Sequence, residues 1–160
     1  KKRGRSDIKL LLIGGSKLKP SLQARTEREG LNNVVFHDSV KKADLAGLMK
    51  AADIGMQVLA NVPAFYYGTS PNKFFDYIAA GLPVLNNYPG WLADMIEREQ
   101  CGFAVLPGDP GAFADALEAA ADEREMLADK GRKARELAVR EFDREQLAGR
   151  WVDWVTGVSK

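Results

Sequence analysis

The sequence predicts an α/β fold of the Rossmann-like kind, with helices on both faces of a doubly wound parallel sheet. Two observations predict it: short apolar runs alternate with helical patterns five times, and the connections are long enough for right-handed crossovers between parallel strands. A third observation is length, since 160 residues bury roughly 70% of their unfolded surface without a disulfide or metal. We therefore expect one domain over residues 1–160.

The first half of the chain contains three predicted strands and two helices. Residues 8–13 form an apolar run ending at Gly14 and Gly15, typical of a strand buried on both faces. Residues 20–29 are polar helix formers, and residues 34–36 are a short apolar strand. Apolar residues at helical spacing predict a helix over 42–52. Residues 54–59 are the third strand, followed by a loop over 60–69.

The second half opens with a helix that has clear start and stop signals. Ser70 is a good N-cap, Pro71 suits the first helical position, and Gly81 suits the left-handed position after the helix. A free helix N-terminus holds phosphate well, and Lys73 and Asp76 lie on one face of its first turns. A capped surface helix with an ordinary ion pair is the alternative interpretation.

The remaining elements complete the alternation. Strands are predicted at 83–85 and 102–106, with a helix carrying Leu92 and Ile96 between them. Everything after Pro110 is helical in pattern. The final helix, about 143–158, carries Trp151 and Trp154 in an apolar stripe, for which packing in the core is the default and docking on a partner domain is the alternative.

Composition excludes several classes of function. The 23 basic and 22 acidic residues nearly balance, so no global charge favours nucleic acid. Cys101 is the only cysteine and His37 the only histidine, which excludes an internal disulfide and a histidine-rich metal site within this chain. No apolar run approaches the ~20 residues of a membrane span.

Two motifs at the carboxyl ends of early strands have competing interpretations. Gly14 and Gly15 lack the third glycine of a dinucleotide fingerprint, so we expect a tight turn near a ligand rather than a dehydrogenase site. His37 follows the second strand on the same edge, where it is either a ligand contact or a structural hydrogen-bonding residue. In the loop before the third helix, Phe65, Tyr66 and Tyr67 either stack on a base or sugar or pack the loop.

Taken in order, these segments resemble the C-terminal, nucleotide-sugar-binding domain of a GT-B glycosyltransferase of the retaining family usually numbered four. The matching segments are L-L-I-G-G at 11–15, V-V-F-H-D-S-V at 34–40, L-M-K-A-A-D-I at 48–54, S-P-N-K-F-F-D-Y-I-A-A-G-L-P-V at 70–84, C-G-F-A-V-L-P-G-D-P at 101–110 and R-E-F-D at 140–143. The likeness spans almost the whole chain, so the sheet is expected to be one half of a GT-B fold.

The resemblance implies roles for particular residues. Asp76 matches the second of two acidic residues in the family and would hold the donor ribose, since a carboxylate accepts two hydrogen bonds from a diol. The first acidic position falls at Gly68, so backbone N–H groups over Gly68, Thr69, Ser70 and Asn72 are expected to act there, with Lys73 at the diphosphate. Gly14, Gly15 and His37 complete the expected donor site. No catalytic residue is singled out, and neither a cofactor nor a metal is expected.

The resemblance also implies what the whole enzyme does. It would move a sugar from a nucleotide diphosphate-sugar, with UDP favoured, to a surface polysaccharide or glycolipid, with retention at the anomeric carbon. The family's first C-terminal strand and its N-terminal acceptor-binding domain have no counterpart here, so we expect a truncated fragment, inactive alone. Cytoplasmic location, with membrane-surface association of the full enzyme, is expected. The alternatives are a GT-B-fold UDP-sugar epimerase and a non-catalytic interaction module.

Overall fold

A computed structural model describes residues 2–158, so residues 1, 159 and 160 of the predicted domain lie outside it. Its elements alternate between strand and helix up to the fifth strand, as the sequence predicts, and helices follow. In order they are β1 (Leu10–Ile13), α1 (Lys19–Arg28), β2 (Val34–His37), α2 (Lys42–Lys50), β3 (Gly55–Gln57), a 3-10 turn (Pro63–Phe65), α3 (Asn72–Ala79), β4 (Val84–Asn86), α4 (Trp91–Glu99), β5 (Gly102–Ala104), α5 (Pro110–Asp122), α6 (Arg124–Glu141) and α7 (Arg144–Val158).

The chain forms two compact units, one up to Leu48 and one from Met49 onward. In the first unit β1 and β2 pair in parallel, with Leu10 opposite Val34. The expectation that the first strand is buried on both faces is wrong, because Leu11 and Ile13 are 40% and 37% exposed. Burial on both faces needs helices on both faces, and α1 contributes no buried residue to this two-stranded sheet.

The second unit holds the core. Strands β3, β4 and β5 pair in parallel in that order, and α3, α4 and α6 supply the apolar side chains that pack on them. The main buried residues are Phe74, Ile78, Val84, Leu92, Ile96, Ala134 and Leu137. Gly81 has φ +74° and ends α3 as predicted. Every strand of this unit therefore presents its carboxyl end at one edge, where α3 and α4 begin.

The last helix is where the core-packing expectation fails. Trp151 and Trp154 on α7 are 64% and 66% exposed. The apolar surface of the second unit is already covered by α3, α4 and α6, so α7 has no core position left to fill. Docking of α7 on a partner domain stays a prediction.

An ion-pair cluster joins α4 to α6 and makes the stability of the second unit depend on pH. Arg140 donates to Glu99 at 2.5 Å and Arg98 donates to it at 3.0 Å. These hydrogen bonds hold the pKa of Glu99 below its ordinary value of 4.5. A carboxylate with a lowered pKa in the folded state contributes stability above the unfolded pKa and loses it as pH falls through the folded pKa.

We expect Glu99→Gln to lower the free energy of unfolding by up to ~1 kcal/mol at pH 7, because the cluster is partly exposed. The loss should shrink as the pH falls from 4.5 through the lower pKa of Glu99 in the folded protein, because Glu99 then becomes protonated in the unsubstituted protein as well. Urea denaturation between pH 7 and pH 3 measures it. Glu97→Gln on the same helix is the matched control. A loss that does not change with pH would contradict the assigned cause.

Candidate functional site

The candidate site of the second unit is the N-terminus of α3. The helix begins at Asn72 with Pro71 as N-cap, so the predictions of a Ser70 cap and of Pro71 at the first helical position are wrong. Pro71 has ψ 125°, which places it outside the helix, and no side chain caps this end. The first intrahelical hydrogen bond runs from the Phe74 N–H to the Pro71 carbonyl at 3.0 Å. The N–H groups of Asn72 and Lys73 precede it, and helix geometry gives such groups no internal acceptor.

Buried side chains pack the start of α3 against the core. Phe74 is fully buried and makes edge contacts with Phe75 and with Trp91 of α4, at ring separations of 5.3 and 6.2 Å. Ile78, one turn later, is also fully buried. Because these anchors lie on the core side, Lys73 remains exposed on the first turn and Asp76 is half-buried. A positive side chain therefore accompanies the positive end of the helix dipole.

Hydrogen bonds from side chains tie the loop before α3 to the ends of the strands, and one of these side chains, Trp91, was not among the candidate residues from the sequence. The Trp91 indole N–H donates to the Thr69 carbonyl at 3.0 Å, and the Thr69 hydroxyl donates to the Phe65 carbonyl. The Asn87 side chain bonds the Leu59 backbone twice, accepting at 2.8 Å and donating at 2.9 Å. A tryptophan at the first position of α4 has no local sequence signal for this role, since its partner lies 22 residues earlier.

Gly68 lies in this loop at the position where the resemblance leads one to expect an acidic residue. No heavy atom beyond its chain neighbours lies within 4 Å of the point that a Cβ would occupy, and Gly68 is not among the glycines with positive φ. The local structure thus has room for a side chain here. The absence of the acidic residue is a property of the sequence and is not imposed by packing.

Asp76 affects the pKa of the neighbouring Tyr77. Burial raises the pKa of Tyr77, and the negative charge of Asp76 raises it further. A hydrogen bond from the Tyr77 hydroxyl to the Met56 carbonyl at 3.5 Å acts in the opposite direction. Tyr77 therefore stays neutral and packs over Gly55, where any Cβ would meet its ring at 2.3 Å. This packing seats the middle of α3 on β3.

The other predicted residues lie in the first unit, at the carboxyl ends of β1 and β2. Gly14 has φ +135° and donates its N–H to the His37 carbonyl at 3.2 Å. Lys19 donates to that same carbonyl at 3.1 Å and to the Asp38 carboxylate at 2.6 Å, which lowers the pKa of Asp38. The His37 ring Nδ1 lies 2.8 Å from the Asp38 carbonyl, which accepts. The turn after β1 is therefore tight, as predicted, and Gly14, Gly15 and His37 lie on one edge.

A cleft of about 370 Å³ elsewhere in the second unit is lined by three arginines. Two of them are paired with carboxylates: Arg124 with Asp53, and Arg132 with neighbours on its own helix. Arg135 donates to the Ala79 carbonyl at 2.6 Å, where the end of α3 favours a cation. The three arginines therefore make contacts within the fold. The cleft lies at the amino end of β4, away from the start of α3.

The parallel strands and crossover helices place the chain in the Rossmann-like α/β class that forms one half of a GT-B fold. Residues 1–123 match the model of the family described as Glycosyl transferases group 1, and the chain belongs to that family. No curated protein matches the chain significantly.

Three solved structures illustrate the likeness. WaaG, a glycosyltransferase involved in lipopolysaccharide biosynthesis, is 25% identical with a TM-score of 0.71, and the match covers 98% of this chain and 40% of WaaG. Anabaena HepE, solved with UDP-glucose, is 18% identical with a TM-score of 0.77, and the match covers 95% of this chain and 43% of HepE. Sucrose-phosphate synthase of Thermosynechococcus elongatus is 23% identical with a TM-score of 0.76, and the match covers 94% of this chain and 38% of the synthase. The chain thus spans about two fifths of their length.

The helices described over residues 2–158 include none that combines the length and the apolar character needed to cross a bilayer.

Proposed function

We propose that the chain is the donor-binding, C-terminal domain of a retaining GT-B glycosyltransferase of family four. The full enzyme would transfer a sugar from a nucleotide diphosphate-sugar, most simply a UDP-sugar, to a surface polysaccharide or glycolipid acceptor. The observation that carries this proposal is the uncapped N-terminus of α3, held by buried Phe74 and flanked by Lys73 and Asp76. Membership of the glycosyltransferase family supports it.

Each group at the start of α3 has a chemical task in this proposal. The N–H groups of Asn72 and Lys73 donate to the diphosphate, and the Lys73 ammonium adds a positive charge beside it. The Asp76 carboxylate accepts from the two ribose hydroxyls. Negative charge builds up on the diphosphate as it leaves the sugar, so a preorganised helix end stabilises the transition state more than the ground state. Absence of a metal from this site stays a prediction.

The exposed face of α7 is consistent with a further part of the proposal. Trp151 and Trp154, which are exposed in this chain, would pack on an N-terminal acceptor-binding domain. The full enzyme would work in the cytoplasm, at the membrane surface. Burial of two tryptophans between domains would hold α7 in place. Catalysis by this chain alone is not expected, since the acceptor and its activation would lie in that other domain.

A titration that compares UDP with 2′-deoxy-UDP tests the ribose assignment. UDP should shift the backbone amides of residues 68–73 in NMR spectra of the chain, and Asp76→Asn should weaken UDP binding roughly tenfold or more, because a charged hydrogen bond contributes about 1.5–3 kcal/mol. The same substitution should have a smaller effect on 2′-deoxy-UDP, which retains only one of the two hydroxyls. Asp94→Asn on α4 is the matched control.

The diphosphate assignment is checked separately. Lys73→Met should weaken UDP and 2′-deoxy-UDP alike and leave uridine unchanged, since it removes a charge that faces phosphate. The proposal is wrong if UDP, GDP and ADP at millimolar concentration all leave the amides of residues 68–73 unmoved. Equal UDP affinity in Asp76→Asn and in the unsubstituted protein would overturn the role of Asp76.

A further inference from the structure

Three polar side chains are buried at the carboxyl ends of β3 and β4, and one atom of each has no hydrogen-bond partner. They are Gln57 and Asn86, the last residues of the two strands, and Tyr88, two positions further on. Each is at most 1% exposed. The unpaired atoms are Gln57 Oε1, Asn86 Oδ1 and the Tyr88 hydroxyl oxygen, counted over the residues that the structure describes. Because a buried polar atom without a partner is costly, the cluster calls for a ligand.

The Gln57 and Asn86 side chains lie side by side on the face of the sheet that α3 covers. The two residues are partners in the parallel register of β3 and β4, so their side chains point to the same face. Gly55, two positions before Gln57, shares that face, and a Cβ on Gly55 would meet the Tyr77 ring of α3 at 2.3 Å. The pair therefore lies at the edge of the sheet where α3 begins.

Tyr88 is fixed beside this pair. The Asn86 Nδ2 donates to the Tyr88 carbonyl at 2.5 Å, and the Tyr88 ring stacks on Tyr66 at a ring separation of 6.3 Å. Burial raises the pKa of the Tyr88 hydroxyl, and the nearby Gln57 amide lowers that pKa by a smaller amount. Gln57 and Tyr88 are thus neighbours, yet the hydroxyl reaches hydrogen-bond geometry with none of the described residues.

The inventory of donors and acceptors specifies the partner that the cluster needs. Gln57 Oε1 and Asn86 Oδ1 only accept, so the single Tyr88 O–H could pair with one of them and would leave the other unpaired. Turning the Asn86 amide over would place its oxygen against the Tyr88 carbonyl oxygen. The partner must therefore donate twice and accept once. Water does both, and buried waters typically form about three hydrogen bonds to such groups.

The charge of the cluster distinguishes water from a metal cation. A cation could also bind three oxygen atoms, but a buried charge is costly without a compensating charge beside it. Gln57, Asn86 and Tyr88 are neutral. Residues 2–158 contain no group of three or more His, Cys, Asp or Glu side chains that could hold a metal ion. Neutral ligands in a fully buried position favour a neutral occupant.

We propose that Gln57, Asn86 and Tyr88 bind one internal water molecule. The water donates to Gln57 Oε1 and to Asn86 Oδ1, and it accepts from the Tyr88 O–H. It thereby joins the ends of β3 and β4 on the α3 side of the sheet and, through the stacked Tyr88 and Tyr66 rings, connects them to the loop before α3. The inference is independent of the proposed function, because no nucleotide takes part in it.

Tyr88→Phe tests the water through the sign of its effect on stability. If water accepts from the Tyr88 O–H, the substitution removes a hydrogen bond and should raise the equilibrium constant of unfolding about two- to tenfold. If no water is bound, the substitution removes an unpaired buried hydroxyl and should lower that constant. Urea denaturation measures it, and an unchanged or lower constant would overturn the proposal. Tyr67→Phe, at a residue 73% exposed, is the matched control and should leave the constant unchanged.

NMR measurement of NOEs between water and protein locates the molecule directly. The side-chain amide protons of Gln57 and Asn86 should show NOEs to a long-lived water. These NOEs should persist in Tyr88→Phe, where exchange of the hydroxyl proton cannot produce them. The Asn87 amide, whose oxygen and nitrogen both bond the Leu59 backbone, is the control and should show none. The proposal is wrong if neither amide shows the NOEs, or if exchanging Na⁺ for K⁺ at constant ionic strength changes the stability, which would indicate a cation.

Discussion

Gly102→Ala should unfold the second unit or destabilise it by more than ~4 kcal/mol. Gly102 is paired with Val84 in the parallel register of β4 and β5. A Cβ at this position would lie 2.0 Å from the Val84 carbonyl oxygen and 2.7 Å from its nitrogen. Both are backbone atoms in the middle of the sheet, so neither can move without breaking the ladder between the strands. Circular dichroism and urea denaturation of the purified chain measure the effect.

Gly149→Ala is the matched control for that substitution. Gly149 lies within α7 and no heavy atom beyond its own helix lies within 4 Å of a Cβ built on it. Alanine should therefore stabilise the helix by up to ~1 kcal/mol through its better intrinsic propensity. A Gly102→Ala protein that folds with unchanged stability would show that β4 and β5 do not pair with Val84 opposite Gly102.

Phe74→Ala should cost about 3–5 kcal/mol of unfolding free energy, as expected for a fully buried phenylalanine. The substitution removes the ring that holds the first turn of α3 against Phe75 and Trp91. In protein that remains folded, the amides of the α3 start should broaden in NMR spectra and the affinity for UDP should fall. Two measurements therefore report on one anchor: chemical denaturation and nucleotide titration.

Phe74→Leu distinguishes loss of packing from loss of the fold. Leucine fills most of the cavity, so stability should recover in part and UDP binding should recover with it. Leu106→Ala is the control, because Leu106 is 71% exposed and its truncation should change stability by less than ~0.5 kcal/mol. A Phe74→Ala protein within 1 kcal/mol of the unsubstituted chain would show that Phe74 is not a core anchor, by the same scale of cavity costs.

The order and type of the elements were predictable because they depend on local pattern. Apolar runs gave β1 to β5, and the helical spacing of Leu45, Leu48 and Met49 gave α2. Gly81 fixed the end of α3, since only a left-handed residue follows such a helix cheaply. The start of α3 was less predictable. Ser70 and Pro71 both favour a helix start, and in the structure Pro71, with ψ 125°, is the N-cap.

Burial was the quantity that local pattern did not determine. The apolar run of β1 is also found in strands covered on both faces, yet Leu11 and Ile13 are exposed in a two-stranded sheet. The tryptophan stripe of α7 resembles a core face, yet the core is complete without it. Both failures have one cause. An apolar residue favours burial, but whether it is buried depends on how many other elements pack against it.

The sequence by itself determined the α/β class, the family, and the candidate residues around α3, because motif order and hydrophobic period are written along the chain. Only the tertiary structure decided how those residues are held. It left the N-terminus of α3 without a side-chain cap. It also brought the Trp91 indole to the Thr69 carbonyl and stacked Tyr66 on Tyr88. Both contacts join residues about twenty positions apart, and such pairings depend on how helices and strands pack, which no local pattern of residues encodes.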